Sequence, residues 1–441
     1  MAPNASPGTS GTSGTHASPT APVSPARPAH PRRVAVVGAG MVGLATAWFL
    51  QEHGVEVTVL DREDVCAGAS RGNAGWLTPG LASPLPEPAV LRFGLRALFD
   101  PASPVYVPPS TDPGLLRFLA GFVRHSTPGR WRRGMAALVP LNRLALPAFD
   151  LLAAGGVAAR TLPAASFLAA FRTAAERRGL VTELHHLRVA GQPVEHEVLD
   201  GGQARAVEPA LSERIGAAVL LQGQRYLDPG RFVHALAEAV RGRGGTILPG
   251  TAVGALRDRG GRVELFTGDG DAEDFDAVVL AGGVHLGDLA RRFGVRSVVQ
   301  AGRGYSFDVA VRRPPAGPVY FPAQRVACTP LGDRLRVAGM MEFRRPGAPL
   351  DGRRVRAVAE AARPLLEGAD LDDRRNVWVG SRPCTPDGLP LVGATRSPRV
   401  FVAGGHGMWG VTLGPATGRL LAEAVATGRP PAVLAPFDPL R

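Results

Sequence analysis

The chain has 441 residues and not one lysine, so all 50 of its strongly basic side chains are arginines. The net charge of +12 is scattered, with only short pairs such as Arg132-Arg133 and Arg353-Arg354. No basic helix is interleaved with aromatic residues, which argues against nucleic acid as a partner. The abundance of Arg, Ala, Gly and Pro reads as a genome-composition bias. Cysteine is equally scarce: Cys66, Cys328 and Cys384 lie far apart, fit no zinc or disulfide spacing, and suit a reducing cytoplasm. His185, His186 and His196 fit no metal-ligand spacing either. No apolar run reads as long enough to cross a bilayer. Residues 1–31 almost lack large apolar side chains, which predicts a disordered tail without the apolar core of a signal peptide. Arg32-Arg33 mimics a twin-arginine export signal, but the apolar residues after it are claimed by a strand, so no export is expected.

Such a length can bury a large core and predicts two domains. The densest signal is Val34 to Asp61. Val34–Val37 reads as a buried parallel strand. Gly38, Gly40 and Gly43 follow in the spacing G-x-G-x-x-G, then a helix from Met41 to His53 closed by Gly54, then a strand from Val55 to Leu60. Gly38 permits a tight turn, Gly40 a close backbone approach to pyrophosphate, and Gly43 close packing of helix on strand. The helix start, with Ala39, Met41 and Val42, offers free N–H groups to phosphate. Asp61, roughly 20 residues past the glycines and followed by Arg62, is placed to accept from ribose hydroxyls. Strand, helix, second strand and acid are all in register, so the unit reads as dinucleotide-binding.

The segment after Asp61 is a long Gly-, Ser-, Asn- and Pro-rich loop, in which Ser70, Asn73, Ala74 and Gly75 offer small donors and bare backbone to a cofactor. Two stretches, Val90–Phe99 and Leu115–His125, are amphipathic and basic. They suit a membrane surface or a redox partner, but helices covering the active site are the preferred reading. Phe167–Arg178 reads as a helix. Asp228 and Pro229 start another, running to Arg243, and strands are expected at 246–250, from Val253, at 262–267 and at 275–283. Residues 298–345 read as an antiparallel sheet, in which Arg303, Tyr305, Tyr320 and Arg325 are candidates to face a ligand. The stretch from Arg353 to Leu366 reads as helical. Strand Val400–Ala403 feeds a Gly-rich turn and a helix from Thr412 to Ala426.

The run VVGAGMVGLATAWFL, with SRGNAG and TPG after it, resembles the D-amino-acid dehydrogenase (small subunit) branch of the FAD-dependent amino-acid oxidoreductases. GSRPCTPDGLPLVG (380–393) and VFVAGGHGMWGVTLGPATGRLLAEAVATG (400–428) carry the same resemblance, which extends from Arg33 to the C-terminus. It implies an FAD domain in which Val253 meets adenine through its backbone and Gly282 and Gly283 let the chain pass close to the cofactor. It also implies that Gly405, His406, Gly407, Met408, Gly410 and Thr412 line the flavin's pyrimidine edge, where a helix N-terminus stabilises negative charge on the ring. Arg382 is the position that pairs with a substrate carboxylate, where a planar guanidinium gives two parallel donors. Tyr305 falls on the substrate-side strand, and His406 is a candidate base or simply a turn residue.

The implied reaction is oxidation of a small amino acid at Cα, with no dedicated acid or base required. Two departures from more distant relatives matter. Sarcosine oxidases attach flavin through a Cys two residues before the Arg382 position, and Gly380 stands here, so the FAD is expected to be non-covalent. Those oxidases also use a Lys to speed reaction with oxygen, so this chain favours a dehydrogenase passing electrons to a quinone or other redox partner. Glycine, sarcosine or proline-type oxidoreductases share every motif quoted, and an electron-transfer subunit without its own substrate is a further alternative. The expected architecture is an α/β FAD/NAD(P)-binding Rossmann-like domain (32–84, 225–300 and 376–441) plus an α+β substrate domain with a mainly antiparallel sheet (85–224 and 301–375). The expected location is cytoplasmic, with peripheral contact at the inner face of the membrane as an option.

Overall fold

Val34–Val37 needs apolar neighbours on both edges and both faces, and it has them. In the computed structural model, which describes residues 30–88, 103 and 105–441, Arg33–Val37 lies inside a six-stranded sheet. The strand order is Thr246–Leu248, Glu56–Leu60, Arg33–Val37, Ala277–Leu280, Val400–Gly404, Leu391–Ala394. The first five strands are parallel and the last is antiparallel. Helix Met41–Glu52 is apolar nearly all round, with Met41, Leu44, Trp48 and Leu50 buried, as a helix in the middle of a core must be. It packs under one face of the sheet with Pro229–Gly242, Gly410–Thr427 and Pro128–Ala154. The other face carries a small antiparallel sheet, Val253–Asp258, Val263–Thr267 and Ala272–Phe275, whose Leu256, Leu265 and Phe275 pack on Ala35 and Val278.

A nine-stranded, mainly antiparallel sheet stands beside this unit. Its path is Arg375–Cys384, Gln300–Ala310, Arg334–Phe343, Val326–Leu331, Val319–Phe321, Phe167–Phe171, Ala217–Leu221, His196–Asp200, with Val105–Tyr106 added to Arg334–Phe343. The architecture is thus a Rossmann-like α/β domain joined to an α+β domain.

Four expectations need revision. Phe167–Phe171 is a strand, and the helix begins only at Ala174. The FLAAF run is buried at every position, which suits a strand covered on both faces better than an amphipathic helix. Strand Arg375–Cys384 is the edge of the nine-stranded sheet, paired with Gln300–Ala310, so the chain crosses between sheets after Cys384 and not at residue 376. Helix Pro128–Ala154, expected in the substrate domain, packs its Leu138, Leu141, Ala145, Phe149 and Leu152 into the nucleotide-domain core. This same helix is long and apolar enough to span a bilayer by length and composition. Its apolar face is already spent on the core.

Helix Pro113–His125 buries Leu115, Phe118 and Phe122 against Met341 and Phe343. Its apolar face therefore serves packing. The tail up to residue 29 and the stretch Val90–Phe99 lie outside the described residues. The three cysteines are free and buried.

Candidate active site

The dinucleotide motif folds as a turn with no room for side chains. Gly38 has φ +117°, and a Cβ there would lie 2.5 Å from Ala281 O; a Cβ on Gly43 would lie 1.9 Å from Gly38 O. Only glycine satisfies both. Gly40 caps helix Met41–Glu52 without any side-chain cap, and no acid occupies the first turn, so the positive end of the helix is open to an anion. Ser70 Oγ accepts from Met41 N–H at 3.2 Å and is the nearest atom, at 3.5 Å, to a Cβ built on Gly40. Ser70 is therefore held beside the place where a phosphate would bind. Asp61 accepts from Ala39 N–H (2.8 Å) and Glu63 N–H (2.9 Å), fixing its carboxylate at the strand tip. Neighbouring Arg62 is partly exposed and reaches His285 Nε2 at 2.9 Å.

Gly282 and Gly283 turn the chain just past Ala277–Leu280, with Gly283 at φ +57°. Val253 is half-buried at the start of its strand, beside a register shift. Bare glycines, an uncapped helix and a fixed carboxylate at the strand ends form a cradle that suits an adenine dinucleotide.

The loop after Asp61 is clamped to the nine-stranded sheet. Asn73 Oδ1 accepts from Gly75 N–H (2.8 Å), which shapes the turn. Ser306 Oγ donates to Gly72 O (2.8 Å), Thr329 Oγ1 to Ala74 O (2.7 Å), and Trp76 Nε1 to Thr329 Oγ1 (2.8 Å). Arg336 donates to Arg71 O (3.2 Å) and Asn73 O (3.4 Å) while its fork holds Asp308 at 2.8 and 3.1 Å. Burial alone would raise the Asp308 pKa, but Arg336, Asn376 and Arg334 together hold it below the usual carboxylate range. None of these clamping residues is visible in a motif. The available signal is a charged or hydroxylic side chain at an inward position of an otherwise apolar strand.

Between the loop and the sheet lies a cavity of about 420 Å³, lined mainly by apolar side chains, with Asn73, Ala74, Tyr320, Arg325 and Arg382 on its walls. Arg382 is half-buried and donates through Nη1 to Met340 O at 2.8 Å. Burial lowers its pKa. No carboxylate among the described residues pairs with it. A Cβ on Gly304 would lie 2.2 Å from Arg382 Nη2, so Gly304 provides the space the guanidinium fills. At Gly380 a Cβ would lie 1.8 Å from the Trp378 indole, which covers that position.

Two sequence candidates do not reach this cavity. Tyr305 neighbours Gly304 on the strand, so its side chain points to the opposite face. It is buried in the core and its hydroxyl donates to Glu342 Oε2 at 2.8 Å. Burial and that bond push its pKa up to about 12. Arg303 is likewise buried, donating to Ala348 O and Pro349 O.

His406 is buried beneath the Gly-rich turn, with Nε2 2.9 Å from Thr417 Oγ1, and burial drives its pKa down to about 4. It is neutral at physiological pH and faces a minor pocket beside Cys384 and Gly405. Around it the turn does reach the large cavity: Met408, Trp409 and Thr412 line it. Thr412 Oγ1 donates to Trp76 O (2.9 Å), and Gly405 and Gly407 take φ values of +74° and +54°. Helix Gly410–Thr427 starts there with no side-chain cap and no acid in its first turn. A second helix N-terminus therefore faces the ligand space.

Comparison with known proteins places the chain in a family. Residues 33–424 match the family model described as FAD dependent oxidoreductase. The chain is 33% identical over 409 residues to a D-amino acid dehydrogenase of Cereibacter sphaeroides, covering 91% of this chain and 93% of that one. It is 30% identical over 411 residues to a D-amino acid dehydrogenase of Agrobacterium fabrum, covering 90% and 96%. Among solved structures, glycine oxidase from Geobacillus kaustophilus superposes with a TM-score of 0.70 at 24% identity, over 93% of this chain and 99% of that one.

Proposed function

The chain belongs to the FAD dependent oxidoreductase family, and from that premise we propose that it oxidises a D-amino acid to the imino acid. The observation that carries this is Arg382, a guanidinium with no carboxylate partner among the described residues, held in the wall of an apolar cavity. A cation so placed gains from a carboxylate ligand, and its two parallel donors fix that ligand's orientation.

The cradle of Gly38, Gly40, Gly43, Ser70 and Asp61 would hold the pyrophosphate and ribose of FAD. Asn73, Ala74, Met408 and Thr412 would border its ring. Bound FAD supplies the acceptor for two electrons and the Cα hydrogen. Arg382 holds the substrate carboxylate. As the Cα–H bond breaks, the lone pair of the neutral amine forms the C=N bond, and water then releases ammonia from the imino acid. The uncapped start of helix Gly410–Thr427 stabilises negative charge at the cavity wall. Neither His406 nor Tyr305 is positioned as a base. An amine that binds neutral or sheds its proton on binding needs none.

Gly380, bare beneath Trp378, supports non-covalent cofactor, which precipitation with acid would release into the supernatant. The absence of lysine supports a quinone or another redox partner as final acceptor over oxygen, in the cytoplasm or at the inner face of the membrane. Anaerobic spectroscopy of the holoenzyme tests the whole reading. D-amino acids, and not their mirror images, should bleach its visible absorbance, and admitting air should restore it slowly. Bleaching only by glycine, sarcosine or a cyclic imino acid would transfer the assignment to those oxidoreductases. No bleaching by any amino acid would leave an electron-transfer subunit.

A further inference from the structure

The cavity that holds Arg382 also contains an acid that the reaction does not use. Helix Ala174–Val189 turns Leu180, Leu184 and Leu187 inward, and Glu183 lies on the same flank, where the pattern calls for another apolar residue. Its half-buried carboxylate reaches the cavity beside Glu87, Tyr320 and Arg325. Burial, then the charge of Glu87, push its pKa up to about 7, with Arg325 opposing them and no hydrogen bond contributing. Tyr320 feels both Glu183 and Arg325. The four groups thus form one polar patch in an otherwise apolar wall. Thr78 Oγ1, fully buried and lining the same cavity, has no hydrogen-bond partner among the described residues. A carboxylate on an inward helix face is costly unless a ligand completes it.

Resting on the D-amino-acid reading, we propose that Glu183, supported by Glu87, forms a subsite for a cationic side chain, so that the preferred substrates are basic D-amino acids. Arg382 takes the α-carboxylate. Glu183 accepts from the ammonium or guanidinium at the far end. The apolar wall between them packs the methylene stem, as long cationic side chains require. The selectivity is set by charge: a neutral side chain of equal length fills the same space but brings no cation to Glu183, which then has only Arg325 to offset it.

The test compares kcat/KM of the holoenzyme for D-lysine and D-arginine with that for D-norleucine and D-methionine, using an artificial acceptor. Wild type should prefer the basic substrates by roughly 10-fold or more, the scale of one charge-assisted hydrogen bond. Glu183→Gln should erase that preference through KM and leave D-norleucine nearly unchanged. The KM for D-lysine should rise as pH falls from 8 to 6, because Glu183 then takes up a proton while the substrate ammonium keeps its own. Absence of a preference in wild type overturns the subsite, and needs no variant to fold. An equal loss for all four substrates in Glu183→Gln also overturns it, assigning the acid to the α-amine or to the structure. Failure of every D-amino acid to react would instead defeat the underlying reading.

Discussion

In the six-stranded sheet the ligand-facing surface is made by leaving side chains out. In the nine-stranded sheet it is made by putting charged ones in. Gly38 and Gly43 serve because a Cβ would fall 2.5 and 1.9 Å from backbone atoms, and the donors on offer are main-chain N–H groups at two helix starts. Across the cavity, Arg382 is a side chain with space cleared for it by Gly304, and Arg336 and Asp308 tie the intervening loop to the sheet. Backbone sites tolerate no substituent but ask nothing of neighbouring residues. Side-chain sites depend on partners from distant segments, as Arg336, Asp308 and Arg71 show. The first kind should fail abruptly on mutation and the second by degrees.

The sharpest test of the backbone side is Gly43→Val. With Gly38 O in the way of any Cβ, the turn cannot close, and the purified protein should retain no FAD by absorbance. On the side-chain side, Arg382→Gln should lower kcat/KM roughly 1,000-fold, the loss of two charge-assisted bonds, with FAD content unchanged. A loss of FAD in that variant would erase the distinction between the two surfaces.

Arg336→Gln should fall between these. It frees Arg71 O and Asn73 O and leaves Asp308 to Arg334 and Asn376. An expected drop of about 10-fold in kcat/KM should come with a rise of the Asp308 pKa, since its main stabilising partner is removed.

The smallest effect is predicted at His406. Because burial holds its pKa at about 4, it carries no charge above pH 5, and His406→Asn should leave the shape of the pH–rate profile intact between pH 6 and 9. The sign for stability follows from the lowered pKa. The unfolded chain binds a proton that the fold refuses, so this residue weakens the fold as pH drops from 6.5 towards 4. Comparing urea midpoints of wild type and His406→Asn at pH 5 and 8 measures that contribution: the variant should gain on wild type at the lower pH.

Much of the nucleotide-binding half was legible because its signals are local. Val34–Val37, the three glycines and Asp61 fall within one strand-helix-strand unit whose spacing is read locally, while the tight fit of Gly38 is completed by distant Ala281. Asp228 with Pro229 likewise announced a helix that runs to Gly242. The substrate half was less legible. FLAAF at 167–171 reads equally well as helix or strand by periodicity, and only its position between Val319–Phe321 and Ala217–Leu221 makes it a strand. Tyr305 was misplaced for a related reason. Alternation says that it faces opposite to Gly304, but not which face the cavity occupies.

By itself the sequence determined the dinucleotide-binding unit, and its resemblance gave the family and Arg382 as the candidate anchor, because glycine spacing and contiguous motifs are read within short segments of the chain. Only the tertiary structure decided that no carboxylate among the described residues pairs with Arg382, that His406 lies beneath the turn and stays neutral, that helix Pro128–Ala154 belongs to the nucleotide-domain core, and that Glu183 enters the cavity. Each of these turns on burial and on which charges meet across the cavity, and those are set by contacts between segments hundreds of residues apart.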